Sequence, residues 1–79
     1  MAERRANERT FGSWEAKPGG GRQYWYDVTG TTGCRARYVK EVDACENTTR
    51  FAQEIDAPTG ELIEVHEKYP LDLGHRKVR

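Results

Sequence analysis

Four residues in the middle of the chain carry side chains suited to acid–base chemistry on an anion: Tyr26, Arg37, Glu54 and His66. A carboxylate and an imidazole can exchange protons with a substrate, and an arginine can hold an anion through two parallel hydrogen bonds. Metal-independent RNA cleavage needs a base for the 2′-hydroxyl proton, an acid for the leaving oxygen and a cation for the phosphate. One hypothesis is therefore that Glu54 and His66 supply the base and the acid, in either order, with Arg37 on the phosphate and Tyr26 beside it.

A wider set of tyrosines and charged residues is expected on the same surface as candidate binding residues. They are Tyr24, Tyr26, Arg35, Arg37, Arg50, Glu64, His66 and Lys68. Tyrosines beside arginines on an open sheet can stack on nucleic-acid bases. Alternating polar side chains are also typical of a sheet face that only meets water. The sequence favours a non-catalytic binding or accessory module that uses this face or a sheet edge, with the RNA-cleaving enzyme as the alternative.

These side chains can meet only if the chain folds as a sheet, and its turn signals indicate one. Runs of β-branched and aromatic residues alternate with turns that contain glycine, asparagine or proline. The predicted strands are 23–29, 34–43, 48–57 and 61–69. The predicted fold class is therefore mostly β, or a small α+β fold, built on a four-stranded antiparallel meander.

The segments outside the meander are expected to cover one face of the sheet. Residues 1–21 form an arm that ends in a glycine-rich hinge, and its first residues favour a short helix. Residues 71–79 form a basic tail, in which His75 and Arg76 can replace a site residue if the tail folds back. The meander occupies 22–70, and 79 residues make one domain.

The turns also predict which residues lie opposite each other. The predicted pairs are Trp25 with Tyr38, Glu41 with Arg50, Arg37 with Glu54, Ile55 with Ile63, and Gln53 with Val65. Because side chains alternate along a strand, these pairs give one core face and one charged face. The predicted core face contains Trp25, Ala36, Tyr38, Val42, Phe51, Ile55, Ile63, Val65 and Tyr69. All the candidate site residues fall on the opposite, charged face.

Composition limits the classes of partner. The chain has 13 Lys and Arg against 13 Asp and Glu, a formal net charge of zero, whereas proteins that bind nucleic acid usually carry a basic excess. A protein partner or a second copy in a homodimer is therefore expected first, and RNA second. No apolar run is long enough for a membrane span. We expect a soluble, cytoplasmic protein without a membrane partner.

The sequence predicts neither a cofactor nor a metal site. Its two cysteines and two histidines lie far apart, without the spacing of zinc ligands. The glycines at 19–21 are not followed by the Lys-Ser or Lys-Thr pair of a phosphate-binding loop. Cys34 and Cys45 are expected to be reduced thiols.

Overall fold

The computed structural model describes residues 2–30 and 33–78. Within them the chain forms one α-helix and six strands: α1 (Ala2–Phe11), β1 (Ser13–Ala16), β2 (Arg22–Thr29), β3 (Arg35–Val42), β4 (Thr48–Asp56), β5 (Leu62–Tyr69) and β6 (Gly74–Lys77). A 3-10 turn at Pro18–Gly20 joins β1 to β2. The strands form one antiparallel sheet in which each strand pairs with its neighbours in the chain. Met1, Arg79 and positions 31 and 32 of the first predicted turn lie outside the described residues.

An antiparallel meander with an N-terminal helix confirms the predicted fold class, but the predicted number of four strands is wrong. The arm and the tail each contribute one further strand. In β1, Trp14 lies opposite Tyr24, and in β6, His75 lies opposite His66. Each of these edge strands has only four residues. Alternation over so short a stretch is too weak to indicate a strand.

The register between β2 and β3 differs by one residue from the prediction. Tyr26, and not Trp25, lies opposite Tyr38. The cause is the turn, because the Gly30 N–H donates to the Cys34 carbonyl oxygen at 2.7 Å and closes a loop one residue shorter than predicted. A slip of one residue moves every side chain of a strand to the other face.

The third turn forms as predicted, but the second closes between Asp43 and Asn47, where the prediction was Ala44 with Asn47. A bulge between Glu41 and Val42 restores the predicted register beyond it. The confirmed pairs between β3 and β4 are Glu41 with Arg50 and Arg37 with Glu54. The third turn closes through a hydrogen bond of 2.8 Å that the Ala57 N–H donates to the Glu61 carbonyl oxygen.

A β-bulge at Ile63 nevertheless changes the register between β4 and β5. Beyond the bulge, Gln53 lies opposite His66 rather than Val65, and Ile55 is likewise shifted by one residue from its predicted partner. Both predicted pairs between these strands are therefore wrong. One extra residue has this effect because the side-chain period of a strand is two residues.

This register gives the sheet two faces of different character. We call one the tyrosine–histidine face: it contains Tyr24, Tyr26, Tyr38, Lys40, Phe51, Gln53, Ile55, Glu64, His66, Lys68, Tyr69, His75 and Lys77. We call the other the arginine face: it contains Trp25, Asp27, Arg35, Arg37, Val39, Glu41, Arg50, Ala52, Glu54, Asp56, Val65, Glu67 and Arg76. The predicted core face is thus wrong for Trp25 and Val65, which lie on the arginine face.

Helix α1 packs on one end of the tyrosine–histidine face. Its apolar contact is Phe11, whose ring centroid lies 5.4 Å from that of Tyr26, 6.0 Å from Tyr24 and 6.4 Å from Phe51. Phe11 and Tyr24 are buried, so these rings form the small core. The helix covers this end of the face and leaves the more distant strands to solvent.

Glu46, in the turn between β3 and β4, fixes the helix to the sheet. Its buried carboxylate accepts hydrogen bonds from Arg4 Nε at 2.9 Å, Asn7 Nδ2 at 3.0 Å and the Tyr24 hydroxyl at 2.9 Å. Burial by itself raises the pKa of Glu46, but the three donors outweigh burial and hold the pKa below its usual value. The position of α1 therefore depends on an ionised, fully hydrogen-bonded carboxylate.

Candidate functional site

The structure separates the four residues of the predicted catalytic set. Arg37 and Glu54 lie opposite each other on the arginine face, whereas Tyr26 and His66 lie on the tyrosine–histidine face. Side chains on opposite faces of one sheet point away from each other. The four side chains therefore do not converge on one substrate atom.

The arginines predicted to bind a ligand are each held by carboxylates. Arg37 donates to both oxygens of Asp27 at 2.7 and 3.0 Å. Arg50 donates to both oxygens of Glu67 at 2.8 and 2.7 Å. Arg35 donates to Asp56 Oδ2 at 2.7 Å. These two-point pairs use the same N–H groups that would otherwise hold a phosphate.

Proton equilibria on the arginine face follow from these pairs. The hydrogen bond from Arg37 lowers the pKa of Asp27, and the hydrogen bond from Arg50 lowers the pKa of Glu67 in the same way. Val39 lies on this face, opposite Trp25 and Ala52, and is fully buried. The arginine face is therefore a layer of ion pairs over a strip of core, and it stabilises the sheet.

A row of side chains crosses the tyrosine–histidine face, one from each strand between β2 and β6. Its members, in strand order, are Tyr26, Tyr38, Gln53, His66 and His75. Neighbouring strands lie about 4.8 Å apart, so the row is about 19 Å long. The two tyrosine rings stack at a centroid distance of 4.9 Å with an interplanar angle of 20°. The first four side chains are partly exposed and His75 is exposed, so a ligand can reach the row.

Lys68 lies at a second bulge in β5, on the same face as this row. The register shifts between Phe51 and Ala52, which leaves Lys68 without a partner in β4. Its Nζ lies 5.4 Å from the ring centroid of Tyr38 and 5.8 Å from that of Phe51. Among residues 2–30 and 33–78, no carboxylate forms an ion pair with Lys68. Its ammonium rests on aromatic rings and can also contact an anion.

Asp72, in the turn between β5 and β6, orients His66. Its Oδ1 accepts hydrogen bonds from His66 Nε2 at 2.6 Å and from the Gly74 N–H at 3.0 Å. These two donors lower the pKa of Asp72. Since an ionised carboxylate only accepts hydrogen bonds, His66 Nε2 carries the proton, and Nδ1 bears the lone pair of the neutral ring. The turn requires glycine at position 74, where φ is +70°.

His75 places a second imidazole beside the first. The ring centroids of His66 and His75 lie 4.5 Å apart at an interplanar angle of 53°. His75 Nδ1 lies 3.8 Å from Glu64 Oε2. The His75 side chain is 45% exposed and that of His66 is 16% exposed. One ring is therefore oriented and shielded, and the other reaches solvent.

An open groove of about 650 Å³ lies on the same face, between α1 and the ends of β4 and β5. Its lining comprises Asn7, Thr10, Phe11, Lys40, Asn47, Thr48, Phe51 and Tyr69. Lys40 Nζ donates to Asn7 Oδ1 at 2.9 Å within this lining. The ring of Phe51 also contacts Lys68, so the groove adjoins the row.

The predicted binding residues divide between the two faces. The tyrosine–histidine face holds Tyr24, Tyr26, Glu64, His66 and Lys68, and the arginine face holds Arg35, Arg37 and Arg50. Tyr24 is fully buried, and its hydroxyl donates to Glu46. The sequence did not indicate Asp72 and Tyr38 as site residues. The available signal was the Asp-Leu-Gly turn after Pro70, which returns His75 to the sheet.

Within residues 2–30 and 33–78, no three His, Cys, Asp or Glu side chains are close enough to hold a metal ion together. No helix in the same part of the chain is long and apolar enough to cross a membrane. Comparison with protein-family models, curated proteins and solved structures gives no match. The function of the chain is therefore inferred from the geometry of its own residues.

Proposed function

We propose that the chain binds single-stranded RNA on its tyrosine–histidine face. The observation that carries the proposal is the Lys68 ammonium, held over the rings of Tyr38 and Phe51 beside the two histidines. Proteins recognise single-stranded nucleic acid by stacking bases on aromatic rings and by placing cations along the backbone. The tyrosine–histidine face offers both kinds of contact within one partly exposed row.

Stacking on the tyrosines supplies most of the expected affinity. Tyr26 and Tyr38 are already stacked on each other, so their rings do not have to be ordered when a base binds. A stacked base contributes about 1–3 kcal/mol. Two such bases with one or two ionic contacts correspond to a dissociation constant of about 10 μM to 1 mM.

Electrostatic attraction is expected to be local, because the net charge of the chain is zero. Arg35, Arg37 and Arg50 are paired with carboxylates on the other face. Lys68 and Lys77 lie on the tyrosine–histidine face, each two residues from a histidine in its strand. Two phosphate contacts predict that log K falls with log salt concentration with a slope of about −1.4. The affinity is therefore expected to be only weakly sensitive to salt.

Fluorescence anisotropy with labelled eight-nucleotide RNAs tests the proposal in a matched pair of variants. Lys68→Met removes the charge on the tyrosine–histidine face and keeps the apolar stem. Arg76→Met removes one charge from an exposed residue of the arginine face. We expect Lys68→Met to weaken binding about fivefold to tenfold and Arg76→Met to change it less than about twofold.

A second matched pair tests the stacking contribution. Tyr38→Leu removes a ring from the row, and Trp25→Leu removes a ring from the arginine face. A loss of about 1–3 kcal/mol of stacking weakens binding between about fivefold and 150-fold in Tyr38→Leu only. Equal effects within either pair, or no binding by the wild-type chain at millimolar concentration, would overturn the proposal.

A second candidate function is association with another protein chain or a second copy through edge strand β6. Three exposed apolar side chains favour it, because Leu71, Leu73 and Val78 flank β6 and are each at least half exposed. An unpaired edge strand can take up a further strand. Light scattering across a concentration series tests the homodimer, which predicts that Leu73→Lys lowers the molecular mass to that of one chain. We propose a cytoplasmic location for the protein under either candidate function.

A further inference from the structure

We infer that His66 and His75 form an acid–base pair that cleaves RNA bound on the tyrosine–histidine face. The inference rests on the proposed RNA binding and adds a chemical step to it. Its basis is the facing position of the two rings, 4.5 Å apart between β5 and β6, with an aspartate behind one of them. Two imidazoles of this kind can contact the same phosphodiester.

His66 is suited to be the base. Its Nε2 donates to Asp72 at 2.6 Å, which leaves the Nδ1 lone pair to accept a proton from substrate. The Asp72 carboxylate also stabilises the positive charge that the ring acquires when it takes the proton. Asp72 is thus a positioning residue, since it acts on the substrate only through His66.

His75 is suited to be the acid. Its ring is 45% exposed and lies beside Glu64, whose Oε2 is 3.8 Å from Nδ1. A protonated His75 therefore faces a carboxylate and still presents Nε2 to a ligand. Lys68 lies two residues from His66 on the same face, about 7 Å along the strand. Its charge can offset the negative charge that increases on the phosphate oxygens in the transition state.

The step balances without a further reactant. His66 takes the proton of a ribose 2′-hydroxyl, and that oxygen forms a bond to the adjacent phosphorus. The bond between phosphorus and the 5′-oxygen of the next nucleotide breaks, and His75 gives that oxygen a proton. The products are a 2′,3′-cyclic phosphate and a 5′-hydroxyl. Proton exchange with water then restores both histidines.

This pair differs from the set expected from sequence. Glu54 and Arg37 lie on the opposite face, where Arg37 is bound to Asp27. His75 takes the place of Glu54 because strand β6 brings the tail back alongside His66. Both proton transfers are thus assigned to imidazoles.

The test uses the full chain in EDTA and two oligonucleotides that differ by one oxygen atom. One is DNA with a single ribonucleotide at its centre, and the other is entirely DNA. Cleavage is followed under single-turnover conditions at saturating protein concentration, which separates the chemical step from binding. Mass spectrometry identifies the cyclic phosphate. The expected result is cleavage of the first oligonucleotide only, after its ribonucleotide.

Asparagine replaces each histidine in turn to test the assignment. We expect His66→Asn and His75→Asn each to lower the saturated rate constant by at least about 100-fold. Arg76→Met, prepared in the same way, should cleave at the wild-type rate. Loss of cleavage in the histidine variants alone then excludes a contaminating nuclease. Circular dichroism and anisotropy on the all-DNA oligonucleotide show whether each variant is folded and binds.

Asp72→Asn tests the positioning residue by a different readout. It should lower the saturated rate constant about tenfold or more and change its pH profile, and Asp72→Glu should restore part of the rate. The charged groups that lie around the two histidine rings, and therefore influence that pH profile, are Asp72, Glu64, Lys68 and Lys77.

Binding without cleavage, or undiminished cleavage by His75→Asn, would overturn the acid–base pair and leave the proposed RNA binding intact. Absence of binding to single-stranded oligonucleotides would overturn both. Cleavage of the all-DNA oligonucleotide would also contradict the inference, because that substrate has no 2′-hydroxyl.

Discussion

Replacement of Glu46 by alanine tests the contact on which the position of α1 depends. The substitution removes the acceptor of three hydrogen bonds. Asn7 and Tyr24 are buried, so their donors lose a partner where there is little contact with water. The Arg4 side chain is 31% exposed and can turn to solvent. The loss is therefore concentrated in two buried donors.

The expected loss of stability is about 3–5 kcal/mol, the usual cost of removing one partner from a buried charged network. A hydrogen bond to a charged group contributes about 1.5–3 kcal/mol, and two buried ones account for this range. Arg4 adds little because solvent screens it. In a domain of this size 1 kcal/mol shifts the melting temperature by about 4–8 °C. Glu46→Ala should therefore lower it by more than about 12 °C.

The backbone at this position supplies a control. Glu46 has φ +65°, a conformation that strains residues with a side chain. Glu46→Gly loses the same carboxylate but relieves that strain. Glycine should therefore be more stable than alanine here by about 1 kcal/mol, which is the reverse of the usual order.

Urea denaturation, followed by circular dichroism, measures the free energy of unfolding of the wild type and both variants. Tyr24→Phe, which removes only one donor, should cost about 1–2 kcal/mol. A loss below about 1 kcal/mol in Glu46→Ala would refute the view that Glu46 anchors α1. A glycine variant less stable than the alanine variant would refute the strain argument.

Three further predictions concern the sheet. Arg50→Met should lower the free energy of unfolding by about 1–2 kcal/mol, and by less in 1 M salt, because it breaks a two-point pair with Glu67. Gly21→Ala should destabilise the chain more than Gly60→Ala in thermal melts. An added Cβ at Gly21 would lie 2.4 Å from the Val42 carbonyl oxygen, whereas at Gly60 it meets no atom within 4 Å and only the positive φ of +91° opposes the substitution. The free energy of unfolding should fall as the pH is lowered below about 4. Ion-paired carboxyls such as that of Glu67 have a lower pKa in the folded chain than the unfolded value of about 4.3. The stability that they supply is therefore complete above that value and is lost as the folded carboxyls take up protons.

The sequence predicted the central pairs of the sheet because opposite charges on β3 and β4 agree with one register there. Glu41 with Arg50 is an opposite-charge pair in the predicted register and in the structure. The Pro58-containing turn forms as its residues indicate. These features are local, so neighbouring residues suffice to determine them.

The faces of β2 and β5 could not be predicted by the same reasoning. The run Tyr24-Trp25-Tyr26 places an aromatic ring on each face of the strand whichever register is chosen, so hydrophobic alternation does not decide between them. In β5, the bulges at Ile63 and Lys68 each add one residue, and no residue type marks them. The bulge at Ile63 places His66 and Lys68 on the tyrosine–histidine face, and the bulge at Lys68 brings Tyr69 to the same face.

The tail is the other part of the site that alternation does not indicate. Strand β6 has four residues, of which three are His75, Arg76 and Lys77. A basic stretch of this kind is equally typical of a free tail. Only its hydrogen-bonded pairing with β5 brings His75 against His66. The acid–base pair therefore depends on tertiary contacts rather than on a motif.

An NMR titration of the side-chain ring signals with a 2′-O-methyl RNA octamer tests binding at the tyrosine–histidine face most directly. This octamer has no free 2′-hydroxyl groups, so it cannot be cleaved by 2′-hydroxyl attack. Binding at this face predicts that signals of Tyr26, Tyr38, His66 and His75 shift together with one dissociation constant, while the Trp25 indole signal stays unchanged. Shifts confined to Trp25, or no shifts at millimolar RNA, would contradict the claim that this face binds RNA.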